Sequence, residues 1–393
     1  MVNRGFGRSS LVVLFVTVFL DMLGYGIIVP LLPFIAEEYG ADALAVGLLV
    51  SLYALMQMFG GPFLGGLSDG VGRRPVILAC LLVAASAYLL LGLAGSVLGI
   101  AFAVAVAGLA GGTPATAQAY IADSTSGDER AKGLGVIGAS FGLGLMVGPA
   151  LGGLLGFYFG LSAPAFFAAA LALTNFVFGW FVLGESLAPE GRRRVPLRLL
   201  NPVSQVAAVV RISGVRVLLG IVLLLNLALA GLVTNFPLFG EARFGWGPAG
   251  SGLFFAFVGV CAVATQGLLI GPVQRFLGEI RMLGAGLAVV AAGLVCVAFL
   301  TSGSLIFPVV GVMAFGFGVA IPAVASLLSR HVGSKEQGRL MGAQQAVLSF
   351  SLVVGPPLAG LVFDTFGPGA PYLLGGLLVL TAGLFTVKAG PRT

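Results

Sequence analysis

One acid in this chain lies in the middle of a long apolar run. It is Asp21, within LVVLFVTVFLDMLGYGIIVPLLPF. At bilayer depth an ionised carboxylate costs about 2.5–3.5 kcal/mol on insertion scales, so an acid there is read as functional by default. It stands about ten residues into its run, or about 15 Å at ~1.5 Å of rise per residue. The chemistry open to it is the reversible binding of a proton. Tyr25 lies one turn further on, with a ring that suits amphipathic molecules. The plainer alternative is a permanently protonated Asp21 that ties its helix to a neighbour.

Other polar side chains inside apolar runs are candidates to line a substrate cavity. Tyr53 and Gln57 lie four apart and share a helix face. Thr116, Gln118, Asn226, Asn235, Gln266, Gln344 and Gln345 complete the set. Each has a competing reading as an interhelical hydrogen bond worth about 0.6 kcal/mol. A second constellation is the charged stretch Phe63–Pro75, FLGGLSDGVGRRP, with Gly65, Asp69, Gly72, Arg73 and Arg74. Its glycines permit a sharp turn with positive φ. Asp69 is expected against the start of span eleven near Gly338, where a helix dipole favours an anion. Arg73 is expected to pair with Asp123 at the cytoplasmic end of span four; the plainer alternative is that Arg73 and Arg74 only follow the positive-inside rule. A third constellation is Gly144, Gly148, Pro149, Gly152 and Gly153. Small residues allow close helix approach and the proline removes a helix hydrogen bond, so the stretch reads as a hinge or as tight packing.

No metal site and no cofactor are expected. Cys80, Cys261 and Cys296 all lie in apolar runs, His331 is the lone histidine, and no G-x4-G-K-[ST] loop occurs. Nor do converging nucleophile, base or metal groups argue for an enzyme.

These residues need elements to hold them, and composition says which. The chain has 393 residues, is 59% hydrophobic and only 9% charged. Soluble chains carry about 25% charged residues, so the bilayer must be the solvent for most of this one. Twelve apolar runs are long enough to span, at roughly 10–33, 44–67, 75–94, 97–121, 133–157, 163–184, 214–239, 248–270, 281–300, 304–328, 339–362 and 370–388. The first is too long for a signal-peptide core and is read as retained. Span four is read as one continuous helix. The fold class is therefore an all-α membrane protein, with a six-helix bundle over 1–184, a cytoplasmic linker over 185–213 and a second bundle over 214–393.

Orientation follows from the basic residues. Of 20 Lys and Arg, only Arg243 falls in a loop between an odd and the following even span. The acids Glu37, Glu38, Asp42, Glu241 and Asp364 lie on that side instead. Both termini and the linker arginines, Arg192, Arg193, Arg194, Arg198 and Arg211, are then cytoplasmic. This placement accounts for the net charge of +6 without nucleic acid.

The two halves repeat. Gly65-x3-Asp69-x2-Gly72 is echoed by Gly271-x3-Arg275-x2-Gly278. Gly148-Pro149-x2-Gly152-Gly153 is echoed by Gly355-Pro356-x2-Ala359-Gly360, and Pro30 by Pro237. Since Arg275 replaces the acid, the second copy is not expected to make the first copy's contact. Paired repeats of this kind imply alternating access, with a site near the midplane.

These stretches carry a resemblance. GGLSDGVGRR between spans two and three resembles the loop signature of the major facilitator superfamily. GLGLMVGPALGG in span five is similar to the motif of its drug:proton antiporters. LDMLGYGIIVPLLP, AYIADSTSGDERAKGLG, FGEARFGW and SLLSRHVGSKEQGRLMGA resemble stretches of bacterial tetracycline-efflux proteins. The resemblance implies the twelve-helix, two-bundle fold of that superfamily and an inner-membrane exporter. Small hydrophobic or amphipathic compounds would be exchanged for protons through Asp21. Asp69, Arg73 and Asp123 would lock the cytoplasmic side, in a chain acting as a monomer among membrane lipids. Three positions depart from those relatives. Val104 stands where an arginine is expected in span four, Ala87-Tyr88 lacks their acid in span three, and spans eight and nine have no ionisable group. A carrier without proton coupling and a non-transporting sensor remain the alternatives. The residues name no substrate.

Overall fold

In a computed structural model the described residues are 8–125, 127–192, 209, 210, 212, 214–265, 267, 270–333 and 336–389. Among them the regular structure is entirely helical. The elements are α1 (Arg8–Ile28), α2 (Leu32–Glu37), α3 (Ala43–Val71), α4 (Arg73–Gly92), α5 (Val97–Leu109), α6 (Thr113–Ser124), α7 (Gly127–Phe159) and α8 (Ala163–Val182). After a 3-10 turn at Pro189–Gly191 come α9 (Val215–Phe244), α10 (Pro248–Ala264), α11 (Ile270–Leu277), α12 (Glu279–Phe299), α13 (Gly303–Arg330), α14 (Gln337–Phe366) and α15 (Ala370–Ala389). Among the described residues ten spans are long and apolar enough to cross a membrane, and Pro248–Ala264 and Ala370–Thr386 are shorter apolar helices.

The structure departs from the sequence expectation in three places. The first span ends at Ile28, because the Val29–Leu31 turn with Pro30 breaks it before the short α2. The glycine-rich stretch from Phe63 is not a turn: α3 runs helically through Gly65, Gly66 and Asp69 to Val71. The reversal is concentrated in Gly72, at φ 114°. Span four is broken in two, with Gly111 and Gly112 between α5 and α6 and Pro114 at the start of α6.

The chain forms two compact units. One comprises 1–40 and 52–200, the other 41–51 and 201–393. In the first unit, α1 packs along α7 through glycines. A Cβ on Gly148 would stand 2.7 Å from the Gly26 carbonyl carbon, and one on Gly144 2.7 Å from the Met22 Cβ. A Cβ on Gly152 would strike the Ile27 carbonyl oxygen. Without lipid-facing hydrophobic drive, such small-residue contacts are what bring membrane helices together. Gly148→Ala is therefore expected to lower stability by about 1–3 kcal/mol through overpacking. Thermal unfolding of the purified protein in detergent checks it, and an unchanged midpoint would refute the contact. The core beside this seam joins Leu14, Val18 and Met22 of α1 to Ile77, Leu81 and Ile121.

The second unit repeats the seam. Gly355 of α14 faces α9, where its Cβ would stand 2.9 Å from that of Ala230. Its core is mainly aliphatic and holds an aromatic group, in which Phe236 stacks on Phe254 at 3.4 Å and 10°, and Phe239 meets Tyr372 at 4.6 Å. The first residues of α3 belong to this unit. Asp364 accepts hydrogen bonds from the backbone N–H of Ala43 (3.2 Å) and Leu44 (2.8 Å), and Asp42 accepts from Ala45 N–H (2.8 Å). Two carboxylates thus satisfy the free donors of one helix start.

Candidate functional site

The site is built where α1, α3 and α4 meet the break in span four. Asp21 and Tyr25 come from α1, Tyr53 and Gln57 from α3, Ala84 and Tyr88 from α4, and Gly111 and Pro114 from the break. Together they line a cavity of about 30 Å³. Glycines bring the backbones this close. A Cβ on Gly108 would stand 2.5 Å from the Tyr53 carbonyl oxygen, and one on Gly111 2.8 Å from the Gln57 side chain. Interrupted helices are tolerated at membrane depth only where the freed backbone is buried in protein or lines a cavity, and here it lines the acid's cavity.

The helix break brings the Thr113 side chain within hydrogen-bonding reach of Asp21. Thr113 is 2% exposed. The Tyr25 and Tyr53 rings lie 5.4 Å apart at 35°, and Gln57 Nε2 approaches the Tyr53 hydroxyl at 3.4 Å. Tyr88 packs on α1, its ring 3.4 Å from where a Gly24 Cβ would be. The phenols of Tyr53 and Tyr88 lie within electrostatic range of the Asp21 carboxyl. One acid among three phenols and a threonine is suited to taking up and handing on a proton. The cavity admits water, which needs only about 10–15 Å³ by this measure. It is far below the ~300–1,000 Å³ of a drug-sized pocket.

The sequence marks Tyr88 only as the neighbour of a missing acid and gives Thr113 no role, although Gly111-Gly112-Thr113-Pro114 inside an apolar run is a breaker signal. Other predicted cavity residues do not join this site. Thr116 is fully buried and bonds back to the Gly112 carbonyl (2.9 Å), and Gln118 is exposed. Asn226 bonds back to Val222 O (2.8 Å). Asn235 is fully buried, and neither of its amide atoms has a hydrogen-bond partner among the described residues. Gln344 is half-buried, Gln345 is exposed, and Gln266 lies outside the described residues. Val104 is 6% exposed in the wall of α5.

The charged cluster forms within the first unit. Arg73, with a side chain 7% exposed, pairs with Asp69 (2.6 Å) and Asp123 (2.7 Å) and donates to the Ser68 hydroxyl (2.6 Å). Asp69, expected near Gly338, thus has Arg73 of its own unit as a partner. Arg74 instead donates to the Trp180 carbonyl (2.6 Å). The second unit answers with opposite signs. Gly278, at φ 70°, replaces Gly72, and Glu279 pairs with Arg330 at 2.7 Å. Glu279 also accepts from Ser326 (2.7 Å). Position 73 maps to 279 and 123 to 330 in the repeat, so the Arg73–Asp123 pair recurs with its charges inverted. Among the described residues Arg275 makes no ion pair, so the Asp69–Arg73 contact itself is not repeated, as the replacement of the acid led one to expect.

In the glycine-rich span, Gly144, Gly148, Pro149, Gly152 and Gly153 all lie inside α7, and Gly144, Gly148 and Gly152 meet α1. Among the described residues no group of His, Cys, Asp and Glu could hold a metal ion.

Paired repeats of membrane-spanning helices, with an interrupted span beside a lone intramembrane acid, define a membrane transporter. The sequence matches the family model Major Facilitator Superfamily over residues 14–276 and 261–393. The chain belongs to the Major Facilitator Superfamily. It is 38% identical to the class C tetracycline resistance protein of Escherichia coli, over 95% of each chain. It is 30% identical to multidrug resistance protein 2 of Bacillus subtilis (strain 168), over 95% of this chain and 93% of that protein. In fold it is similar to the nucleoside transporter NupG, with a TM-score of 0.81 at 12% identity, over 98% of this chain and all of that one.

Proposed function

We propose that this transporter exports small hydrophobic or amphipathic drug-like compounds in exchange for protons. The observation that carries the reading is Asp21, alone among aromatic and hydroxyl groups at the break in span four. A proton bound there removes a charge from the membrane interior, and its release restores that charge, so the two states favour different surroundings. The similar proteins, tetracycline and multidrug resistance proteins, support the substrate class. Tyr25, Tyr53 and Tyr88 offer faces on which flat amphipathic molecules stack. Since the cavity admits only water as it stands, substrate enters when the helices around it separate.

Two six-helix halves, 1–184 and 214–393, would alternate access around the linker 185–213. Asp69, Arg73 and Asp123 would serve as the cytoplasmic gate, with Gly65, Gly72 and Arg74 shaping it, and Gly144–Gly153 as the flexible seam. The protein would work as a monomer in the inner membrane with both termini cytoplasmic.

Proteoliposomes carrying a pH-sensitive dye test the coupling. Adding tetracycline, or a cationic dye such as ethidium, is expected to move protons in step with the compound and against its flow. Transport of either compound with no proton movement would leave the uncoupled-carrier reading standing instead.

A further inference from the structure

A second, larger opening lies on a different face of α4 from Ala84 and Tyr88. It is a groove of about 570 Å³. Arg74, Leu78 and Leu82 follow one stripe of α4, with Ala79 beside them, and Phe176 and Trp180 of α8 form the opposite wall. From Arg74 to Leu82 the trough runs about 12 Å. Its walls are apolar and open: Leu82 is 45% and Trp180 55% exposed.

The end of the trough is cationic. Arg74 is held over Trp180, its guanidinium 5.7 Å from the ring centroid, and its Nε is buried with no hydrogen-bond partner. Arg192 lines the same end and makes no ion pair among the described residues. One acid, Glu185, is also present. It is occupied by backbone donors, accepting from the N–H groups of Arg73 (2.9 Å), Arg74 (3.3 Å), Ser186 (3.0 Å) and Leu187 (3.1 Å). The groove end therefore keeps two guanidiniums against one carboxylate already spent on capping α4.

From this juxtaposition we infer that the groove is a binding site for an anionic phospholipid. The phosphate sits between Arg74 and Arg192, and an acyl chain lies along Leu78, Leu82 and Phe176. Guanidinium pairs favour phosphate diesters. Trp180 stands where indole rings prefer to stand, between the polar and apolar zones of a bilayer. A free phosphate would satisfy the arginines and leave the trough bare. A zwitterionic lipid would fill the trough, but its ammonium would oppose the arginines.

Native mass spectrometry of the full chain tests this with phosphatidylglycerol, phosphatidylcholine of the same acyl chains, and glycerol 3-phosphate. Wild type is expected to retain phosphatidylglycerol about 25-fold over phosphatidylcholine, at about 1 kcal/mol for each of the two arginines near a lipid surface. Glycerol 3-phosphate should not be retained. Arg74→Gln with Arg192→Gln should erase the preference. Ala79→Trp fills the trough while leaving both arginines in place, and should remove the tightly held lipid. Unchanged phosphatidylglycerol binding in Ala79→Trp would overturn the site, as would a persisting preference in the double variant. Retention of glycerol 3-phosphate equal to that of the lipid would also overturn it, by reducing the groove to a phosphate site.

Discussion

Asp21→Asn is expected to abolish proton-driven accumulation while leaving exchange of substrate across the membrane intact. Asparagine keeps the size of the side chain and an acceptor for Thr113, so the roughly 30 Å³ cavity and the α1 packing persist. What it cannot do is bind and release a proton. A carrier coupled one-to-one to a pH difference of one unit can concentrate its substrate about tenfold, since one unit is worth about 1.4 kcal/mol. An uncoupled carrier only equalises concentrations, whatever the gradient. The variant should therefore fall from up to about tenfold accumulation per pH unit to none. Counterflow of labelled against unlabelled substrate should continue in the same vesicles. Undiminished gradient-driven accumulation would remove Asp21 from the mechanism, and the phenols would then need another proton acceptor.

Arg73→Glu is expected to be severely destabilising, and Asp69→Arg with Asp123→Arg in the same chain should rescue it. The single change leaves three acids facing one another, where Arg73 now bridges Asp69 at 2.6 Å and Asp123 at 2.7 Å. Breaking a buried pair costs about 3–5 kcal/mol. The Asp69 side chain is 34% exposed, so solvent screening brings the figure to roughly 2–4 kcal/mol. That corresponds to a loss of about 2–5 °C in the unfolding midpoint of a 393-residue chain, at ~2.1 cal/mol/K per residue. The triple variant rebuilds the arrangement with its signs reversed, as the second unit already does with Glu279 and Arg330. Thermal unfolding in detergent reads the result. A triple variant no more stable than Arg73→Glu would mean that sign, and not only pairing, is fixed at this turn.

The sequence by itself determined the membrane-spanning character, the two-fold repeat and the residues at its charged turns. Apolar length and glycine spacing are properties of the chain in one dimension, and a bilayer enforces them directly. The positive φ at Gly72 and the Arg73–Asp123 pair were legible because a reversal between two helices leaves few partners within reach. Only tertiary structure decided which polar groups surround Asp21. In helices apolar on every side, no period marks the inward face, so Tyr88 and Gln118 look alike until packing buries one and exposes the other. Thr113 reaches the acid because the backbone gives way at Gly111 and Gly112, where helix-on-helix contact replaces the lost turn. The inverted pair in the second unit was hidden for the same reason: Glu279 and Arg330 lie on different helices, and only folding brings them to 2.7 Å.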